Sequence, residues 1–362
     1  MRKLKLSTKI LIGILSVFIL VIASIGFIFR KDIQSVMTIK KIDDFGFYTM
    51  EYKGDYGLDK FLASGAKTDE ELIEFVSKQL LKGLPVTIEV PDLGCSIFTA
   101  DTPDGDRIFG RNFDLDRAPF MLVKTTPDNG YKSMSLVSLS FLGFTQPNDM
   151  NDMMNKVLSL AAPFIPMDGI NEKGLSIGVL LLDDAPTKQE TGKIPFTTST
   201  AIRTVLDKAA TVDEAIEIFN TYDMHDSANA NFHYQIADAN GNSVIVEYVD
   251  NQMNLIYPED SYQTVTNFYK APGEKFNIGD GHDRHQRMVD RLTATKGILT
   301  PQEGMKLLES VMMVGEKDEG SDIVYDTLWS AVYNNTQKTV DIAVYHDYTS
   351  IYHFDLNEVF GK

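Results

Sequence analysis

Cys95 is the starting point for any chemistry in this sequence, because it is the only cysteine among 362 residues. It opens the first of two apolar, β-branched runs, and the turn-forming segment 102–106 separates the two. This pattern predicts a β-hairpin. If the turn is centred between residues 104 and 105, Cys95 lies across from Asp114. The hairpin would then bring the thiol close to the Asp114 carboxylate and the Arg111 guanidinium.

Such a thiol can act as an N-terminal nucleophile if Cys95 becomes the first residue of a processed chain. Its own α-amino group, which titrates near pH ~7.7 to 8.0, then takes the thiol proton. Cleavage after Gly94 would expose that amine, and a glycine leaves its carbonyl open to attack. We expect Asp114 to hold the α-ammonium and Arg111 to favour the thiolate. Because strict alternation puts these two side chains on opposite faces of a strand, a bend at Gly110 is expected.

Two other interpretations of Cys95 are open from the residues alone. A single cysteine is often a small buried hydrophobe without chemistry. It can also form a papain-like pair with a histidine, although the six histidines carry no local motif of that kind. His282 and His285 are more typical of a helix start than of a zinc site, and we predict neither a metal nor a cofactor.

Several segments together carry a family resemblance. Residues 94–114 read GCSIFTADTPDGDRIFGRNFD, residues 168–175 read DGINEKGL, residues 265–268 read VTNF, and Asp283 precedes Arg284. In this order they resemble the choloylglycine hydrolase superfamily of N-terminal-nucleophile hydrolases, which includes bile salt hydrolases, penicillin V acylases, N-acylethanolamine acid amidase and acid ceramidase. The resemblance implies hydrolysis of linear amides and an α+β fold, the αββα sandwich of two antiparallel sheets between helix layers.

The resemblance also implies roles for individual residues. Cys95 would be the nucleophile, Arg111 and Asp114 its immediate partners, Asn267 an oxyanion donor and Arg284 a second cation at the site.

One position departs from the bile salt hydrolases. Where they carry an active-site asparagine, this chain has Leu181, whose side chain cannot donate a hydrogen bond. The oxyanion hole would then consist of Asn267 and a backbone N–H, with Leu181 in the substrate site.

The N-terminus predicts a membrane anchor at residues 1–30. Residues 1–9 carry four basic side chains and no acid, and residues 10–29 carry no charge. As a helix this run would be about 30 Å long, which matches the hydrocarbon core of a bilayer. The excess of basic residues before it predicts a single-pass protein of the cell membrane with an extracellular catalytic domain. A cleaved signal peptide is the alternative, although no clear cleavage site follows.

We predict that residues 31–94 form a folded pro-segment and that residues 95–362 form the amidase domain. Thr68 and Glu71 form a capping box before an amphipathic helix, so the pro-segment is not a disordered spacer. In the ceramidase and acylethanolamine branch a folded segment also precedes the cysteine and is cut from it by self-processing. The resemblance therefore predicts self-cleavage between Gly94 and Cys95.

A loop-rich segment with many large apolar side chains is predicted between residues 119 and 166. Methionine adapts to irregular apolar shapes, so Met150, Met153 and Met154 are candidates for contacts with an acyl chain. Core filling is the alternative for each of them.

Composition limits the remaining possibilities. A net charge of −17 argues against nucleic-acid binding, and one cysteine allows no internal disulfide. We expect a small N-acyl amide as the substrate, and an oligomer is possible. The same thioester could serve an acyltransferase, and the body could also be a catalytically silent, membrane-anchored binding domain.

Overall fold

The computed structural model describes Leu15 and residues 29–88, 94–317 and 324–358. The α-helices of the three longer ranges are α1 (Arg30–Met37), α2 (Leu58–Ser64), α3 (Asp69–Gln79), α4 (Met153–Leu158), α5 (Thr198–Lys208), α6 (Val212–Thr221), α7 (His282–Thr295) and α8 (Pro301–Ser310). Short 3₁₀ turns occupy Leu139–Leu142, Asp149–Asn151 and Ser159–Phe164. The predicted start of α3 is confirmed, because the Thr68 side chain accepts a hydrogen bond from the Glu71 amide.

The first sheet has nine strands. Their spatial order is β1 (Lys40–Lys41), β2 (Phe47–Tyr52), β5 (Phe120–Thr125), β6 (Ser133–Ser138), β7 (Asp168–Asn171), β8 (Ser176–Leu182), β11 (Asn231–Ala237), β12 (Ser243–Val249) and β13 (Gln252–Ile256). Most of its strands are buried along their whole length, as is expected of a sheet that is covered on both faces.

The second sheet has six strands and contains the predicted hairpin. Its order is β14 (Gln263–Val265), β3 (Gly94–Asp101), β4 (Arg107–Leu115), β15 (Asp326–Asn334), β16 (Thr339–Val344) and β17 (Asp347–Asp355). A separate parallel pair is formed by β9 (Pro195–Thr197) and β10 (Asp223–His225).

The two sheets pack on each other between helices. Strands β3 and β8 are in contact across the interface, α5 and α6 lie on the nine-stranded sheet, and α7 and α8 lie on the six-stranded sheet. The predicted α+β sandwich is therefore present, with its largest hydrophobic cluster shared by both sheets.

One expectation about the sheets is wrong. The nine-stranded sheet is mixed, because β2 and β5 pair in parallel, with Phe47 opposite Phe120 and Tyr52 opposite Thr125. Parallel neighbours need a long crossover connection, and here the chain passes through α2, α3 and the β3–β4 hairpin between them. The segment before Cys95 thus supplies an edge of the main sheet. The division of the chain at residue 94 stays a prediction.

The predicted loop-rich segment is also only partly correct. It begins with the paired strands β5 and β6, and the irregular turns follow after Ser138. The predicted anchor in residues 1–30 falls almost wholly outside the described ranges. Within those ranges, no helix has both the length and the apolar character that crossing a bilayer requires.

Candidate active site

The β3–β4 hairpin is confirmed, but its register differs from the prediction by one residue. Gly94 pairs with Asp114, and Cys95 pairs with Phe113. The connecting segment 102–106 has an odd number of residues, so the hairpin is centred on a residue and not on a bond. Gly105 in this turn adopts φ +87°, which glycine tolerates without strain.

This register places Arg111 and Asp114 on different sides of Cys95. Side chains that pair directly across an antiparallel ladder share a face, so Cys95 shares a face with Phe113 and with Arg111, which lies two residues before Phe113. Asp114 lies on the other face, together with its partner Gly94. The expected bend at Gly110 is wrong, because the β3–β4 ladder runs through it without a shift. A Cβ at Gly110 would lie only 2.1 Å from the Phe98 ring, so glycine is needed there for packing.

Arg111 holds the Cys95 thiol from the interior of the sandwich. Its Nη2 lies 3.2 Å from Cys95 Sγ, and its Nη1 donates to the Val179 carbonyl at 2.6 Å. The Nε atom lies 2.8 Å from the Asp168 carboxylate, and both side chains of this ion pair are fully buried. The guanidinium is therefore fixed on three sides, with one nitrogen directed at the sulfur.

Asp168 is a site residue that the sequence analysis missed. Besides Arg111, its carboxylate accepts a hydrogen bond from Trp329 Nε1 at 3.1 Å and one from the Tyr333 hydroxyl. The signal was available, because Asp168 opens the DGINEKGL segment. Its role was not visible because its partners are distant in sequence.

The backbone nitrogen of Cys95 is held by Asn267. This N–H donates to Asn267 Oδ1 at 2.9 Å, and Asn267 Nδ2 donates to the Leu181 carbonyl at 3.0 Å. Asn267 lies two residues beyond the end of β14, where the Asp280 amide donates to its carbonyl at 2.8 Å. Asn267 thus lies next to the Cys95 nitrogen. Its predicted role as an oxyanion donor stays a prediction.

Arg284 connects the other side of the site. Its Nη1 donates to the Cys95 carbonyl at 2.7 Å and to Ser96 Oγ at 2.8 Å, and its Nη2 donates to Asn267 Oδ1 at 3.1 Å. It also lies 3.4 Å from Asp114 Oδ2. Arg284 belongs to the first turn of α7, so this helix delivers a cation to the backbone around Cys95.

Asp114 faces Gly94 instead of the thiol. A Cβ built on Gly94 would lie 3.3 Å from Asp114 Oδ2 and 2.7 Å from Met313 Sδ, so the site has no room for a side chain at that position. Thr327 Oγ1 donates to Asp114 Oδ1 at 2.5 Å. A bulge in β15, and not in β4, adjusts the register beside Thr327. Asp114 is therefore held beside the peptide bond that links Gly94 to Cys95.

The pKa of Cys95 differs from the expectation that Arg111 favours a thiolate. Burial raises the pKa of the Cys95 thiol to about 11, since the lowering effect of the Arg111 charge is smaller than the cost of desolvation. Burial likewise raises the pKa of the Asp114 carboxyl, against the opposing influence of Arg284 and Thr327. With Gly94 still joined to Cys95, the Cys95 thiol is thus neutral at pH 7.

The remaining predicted site residues lie as follows. Leu181 is buried and contributes its carbonyl to the site through Asn267. Met150 is completely buried, whereas Met153 and Met154 are exposed at the start of α4. Met153 lines an apolar groove beside α1 together with Met37. The three methionines therefore do not form one pocket wall, and their contact with an acyl chain stays a prediction.

Part of this sequence is similar to known proteins. Residues 95–270 match the family model for linear amide C-N hydrolases of the choloylglycine hydrolase family. Over 111 residues the sequence is 36% identical to a penicillin V acylase from Pectobacterium atrosepticum, an alignment that covers 28% of this chain and 29% of that enzyme. The chain thus spans less than a third of that relative's length.

Solved structures share the fold. A mutant conjugated bile acid hydrolase from Clostridium perfringens superposes with a TM-score of 0.53 at 17% identity, covering 73% of this chain and 92% of the other. Penicillin V acylase from Agrobacterium tumefaciens gives a TM-score of 0.51 at 18% identity, covering 73% and 87%. At these identities the likeness concerns the fold alone.

Proposed function

We propose, from the match of residues 95–270 to the choloylglycine hydrolase family and from the geometry around Cys95, that this chain is a cysteine N-terminal-nucleophile hydrolase that cleaves the linear amide bond of small N-acyl compounds. The observation that carries this proposal is that both functional atoms of Cys95 are held. The thiol lies against Arg111 Nη2, and the nitrogen donates to Asn267 Oδ1. An N-terminal nucleophile needs both groups in fixed positions, since one attacks and the other transfers the proton.

The first step in this proposal is self-cleavage. The Cys95 sulfur adds to the Gly94 carbonyl carbon, the C–N bond breaks, and the Cys95 nitrogen leaves as an amine after gaining a proton. Water then hydrolyses the thioester, which frees the Gly94 carboxylate and regenerates the thiol. Asp114 lies beside this peptide bond and Arg284 holds the Cys95 carbonyl, so both are placed to orient it.

The processed chain would then hydrolyse amides by the same chemistry. The α-amine takes the thiol proton, the sulfur attacks the substrate carbonyl, and the proton passes to the departing amine. Water, activated by the α-amine, resolves the acyl thioester. Arg111 stabilises the developing thiolate, because its charge lies close to the sulfur in a buried site.

The decisive experiment compares intact mass and N-terminal sequence in the wild-type chain and in Cys95→Ala. We expect a new N-terminus at Cys95 in the wild type and an uncut chain in the variant. Ile351→Ala is the control, because Ile351 is exposed on β17, outside the group of residues around Cys95. A wild-type chain that stays uncut yet releases amine from acyl amides would refute the mechanism.

For the substrate, we propose an acyl amine, an acyl amino acid, a penicillin V-type amide or a bile conjugate. A panel of penicillin V, glycocholate and N-acylethanolamines of increasing chain length, with amine release as the readout, distinguishes them. Alanine at Met150, Met153 and Met154 is expected to alter chain-length preference. An unchanged preference, equal to that of an Ile351→Ala control on the exposed face of β17, would contradict the acyl-chain role.

We also propose that residues 10–29 anchor the protein in the cell membrane with its catalytic body outside. The uncharged length of the run, its basic flanks and the exposed apolar side chains of Ile33 and Met37 just after it support this. Extraction at alkaline pH and protease accessibility in intact cells test it. Release by alkaline extraction would contradict an integral anchor.

A further inference from the structure

His233 is a buried side chain outside the catalytic group described above. It lies in the middle of β11, is completely buried, and pairs across the ladder with Glu247 of β12. Its Nδ1 lies 3.0 Å from Glu247 Oε2, and its Nε2 lies 2.8 Å from the Thr266 carbonyl oxygen. Both ring nitrogens therefore face an oxygen atom.

The identity of these oxygens determines the protons on the ring. A backbone carbonyl can only accept, so Nε2 must donate to Thr266. Glu247 also accepts hydrogen bonds from the backbone amides of Lys270 at 2.9 Å and Ala271 at 2.8 Å. These two amides donate to the carboxylate whatever the state of the ring, and such donors favour the ionised form of Glu247. An ionised Glu247 only accepts, so Nδ1 must donate as well.

The other charged groups near this pair are consistent with a cation at His233. Lys270 is half-buried on the segment after β14, and burial lowers its pKa. Its Nζ lies 3.2 Å from His285 Nε2 of α7, and burial together with the Lys270 charge lowers the pKa of His285 to about 4. His285 is thus neutral at pH 7, and Glu247 is the carboxylate that compensates His233.

The Thr266 carbonyl connects this pair to the nucleophile. Thr266 directly precedes Asn267, whose side chain holds the Cys95 nitrogen. Glu247 additionally binds the amides of residues 270 and 271 on the other side of Asn267. We propose that His233 is a doubly protonated positioning residue, which together with Glu247 clamps residues 266–271 and thereby sets Asn267 against Cys95.

The kinetic consequence of this inference rests on the proposed function. The protonation of the His233 ring does not depend on it. Nitrogen-15 NMR of the full chain, labelled at its six histidines, reports the protonation directly. We expect two N–H groups on His233 at pH 7, identified by their loss in His233→Phe. In Glu247→Gln, where a neutral amide replaces the carboxylate, one of the two should disappear. A wild-type His233 with a single N–H would overturn the proposal.

Kinetics test the positioning. In His233→Phe the rate of self-cleavage and the kcat for penicillin V should fall about 10- to 100-fold, with KM within about twofold, because a displaced Asn267 misaligns the Cys95 nitrogen. His225→Phe is the matched control, since His225 is also buried but lies in β10. Equal kcat in both variants would overturn the proposal. Absence of cleavage from the wild type would refute the proposed function, and the NMR result would still decide the state of the ring.

Discussion

The ion pair between Arg111 and Asp168 offers a sharp test of how the site is built. Asp168→Asn keeps the size of the side chain and one acceptor oxygen for Trp329 or Tyr333, but it removes the charge. The Arg111 guanidinium cannot lose its proton. It would therefore remain as an uncompensated charge at a position with 0% exposure.

The structure sets the size of the effect. Removing one partner of a buried ion pair costs about 3 to 5 kcal/mol of unfolding free energy, because the remaining charge stays desolvated. The pair Asp283–Arg287 is the matched control, since it also joins aspartate and arginine but its side chains are 74% and 50% exposed. Asp283→Asn should cost about 0.5 kcal/mol or less.

Urea unfolding of the full chain in detergent measures both variants. A Cys95→Ala background keeps the proposed self-cleavage from altering the chain during the measurement. The double variant Asp168→Asn with Arg111→Met should recover much of the loss, because it removes the orphan charge. If Asp168→Asn lowers the free energy of unfolding no more than Asp283→Asn does, the buried ion pair does not support the structure in the way that its geometry indicates.

Three further predictions concern the thiol, a second buried carboxyl and the N-terminal segment. In the uncut chain, iodoacetamide should alkylate Cys95 at pH 7.5 about 300-fold more slowly than a free cysteine, because its pKa is about 11; a rate equal to that of free cysteine contradicts this. Burial raises the pKa of Asp226 to about 7, so its contribution to stability is present at acid pH and is lost as the pH rises from about 4 to 7. Asp226→Asn should flatten that part of the profile of Tm against pH, and an unchanged slope would contradict the assignment. After the proposed self-cleavage, the fragment ending at Gly94 should co-elute with the body in size-exclusion chromatography, because β2 pairs with β5; separation without denaturant would refute this.

The local elements of this protein and its candidate nucleophile could be predicted from residues a few positions apart. Alternation and turn residues predict the hairpin around segment 102–106, and the Thr68 cap predicts the start of α3. These signals are local, because they depend on residues a few positions apart. The presence of Cys95, Arg111, Asp114 and Arg284 in one site also followed from the resemblance of their motifs.

How those side chains meet could not be predicted from the sequence, because it depends on strand register and on the packing of the two sheets. The register of β3 and β4 depends on a turn that differs by a single residue, and this places Arg111 against the sulfur and Asp114 against Gly94. Asp168 contacts Arg111, and the Leu181 carbonyl contacts Asn267, from strands of the other sheet, through contacts that no spacing in the sequence encodes. The pKa of Cys95 is set by burial, which arises only when the two sheets close over it.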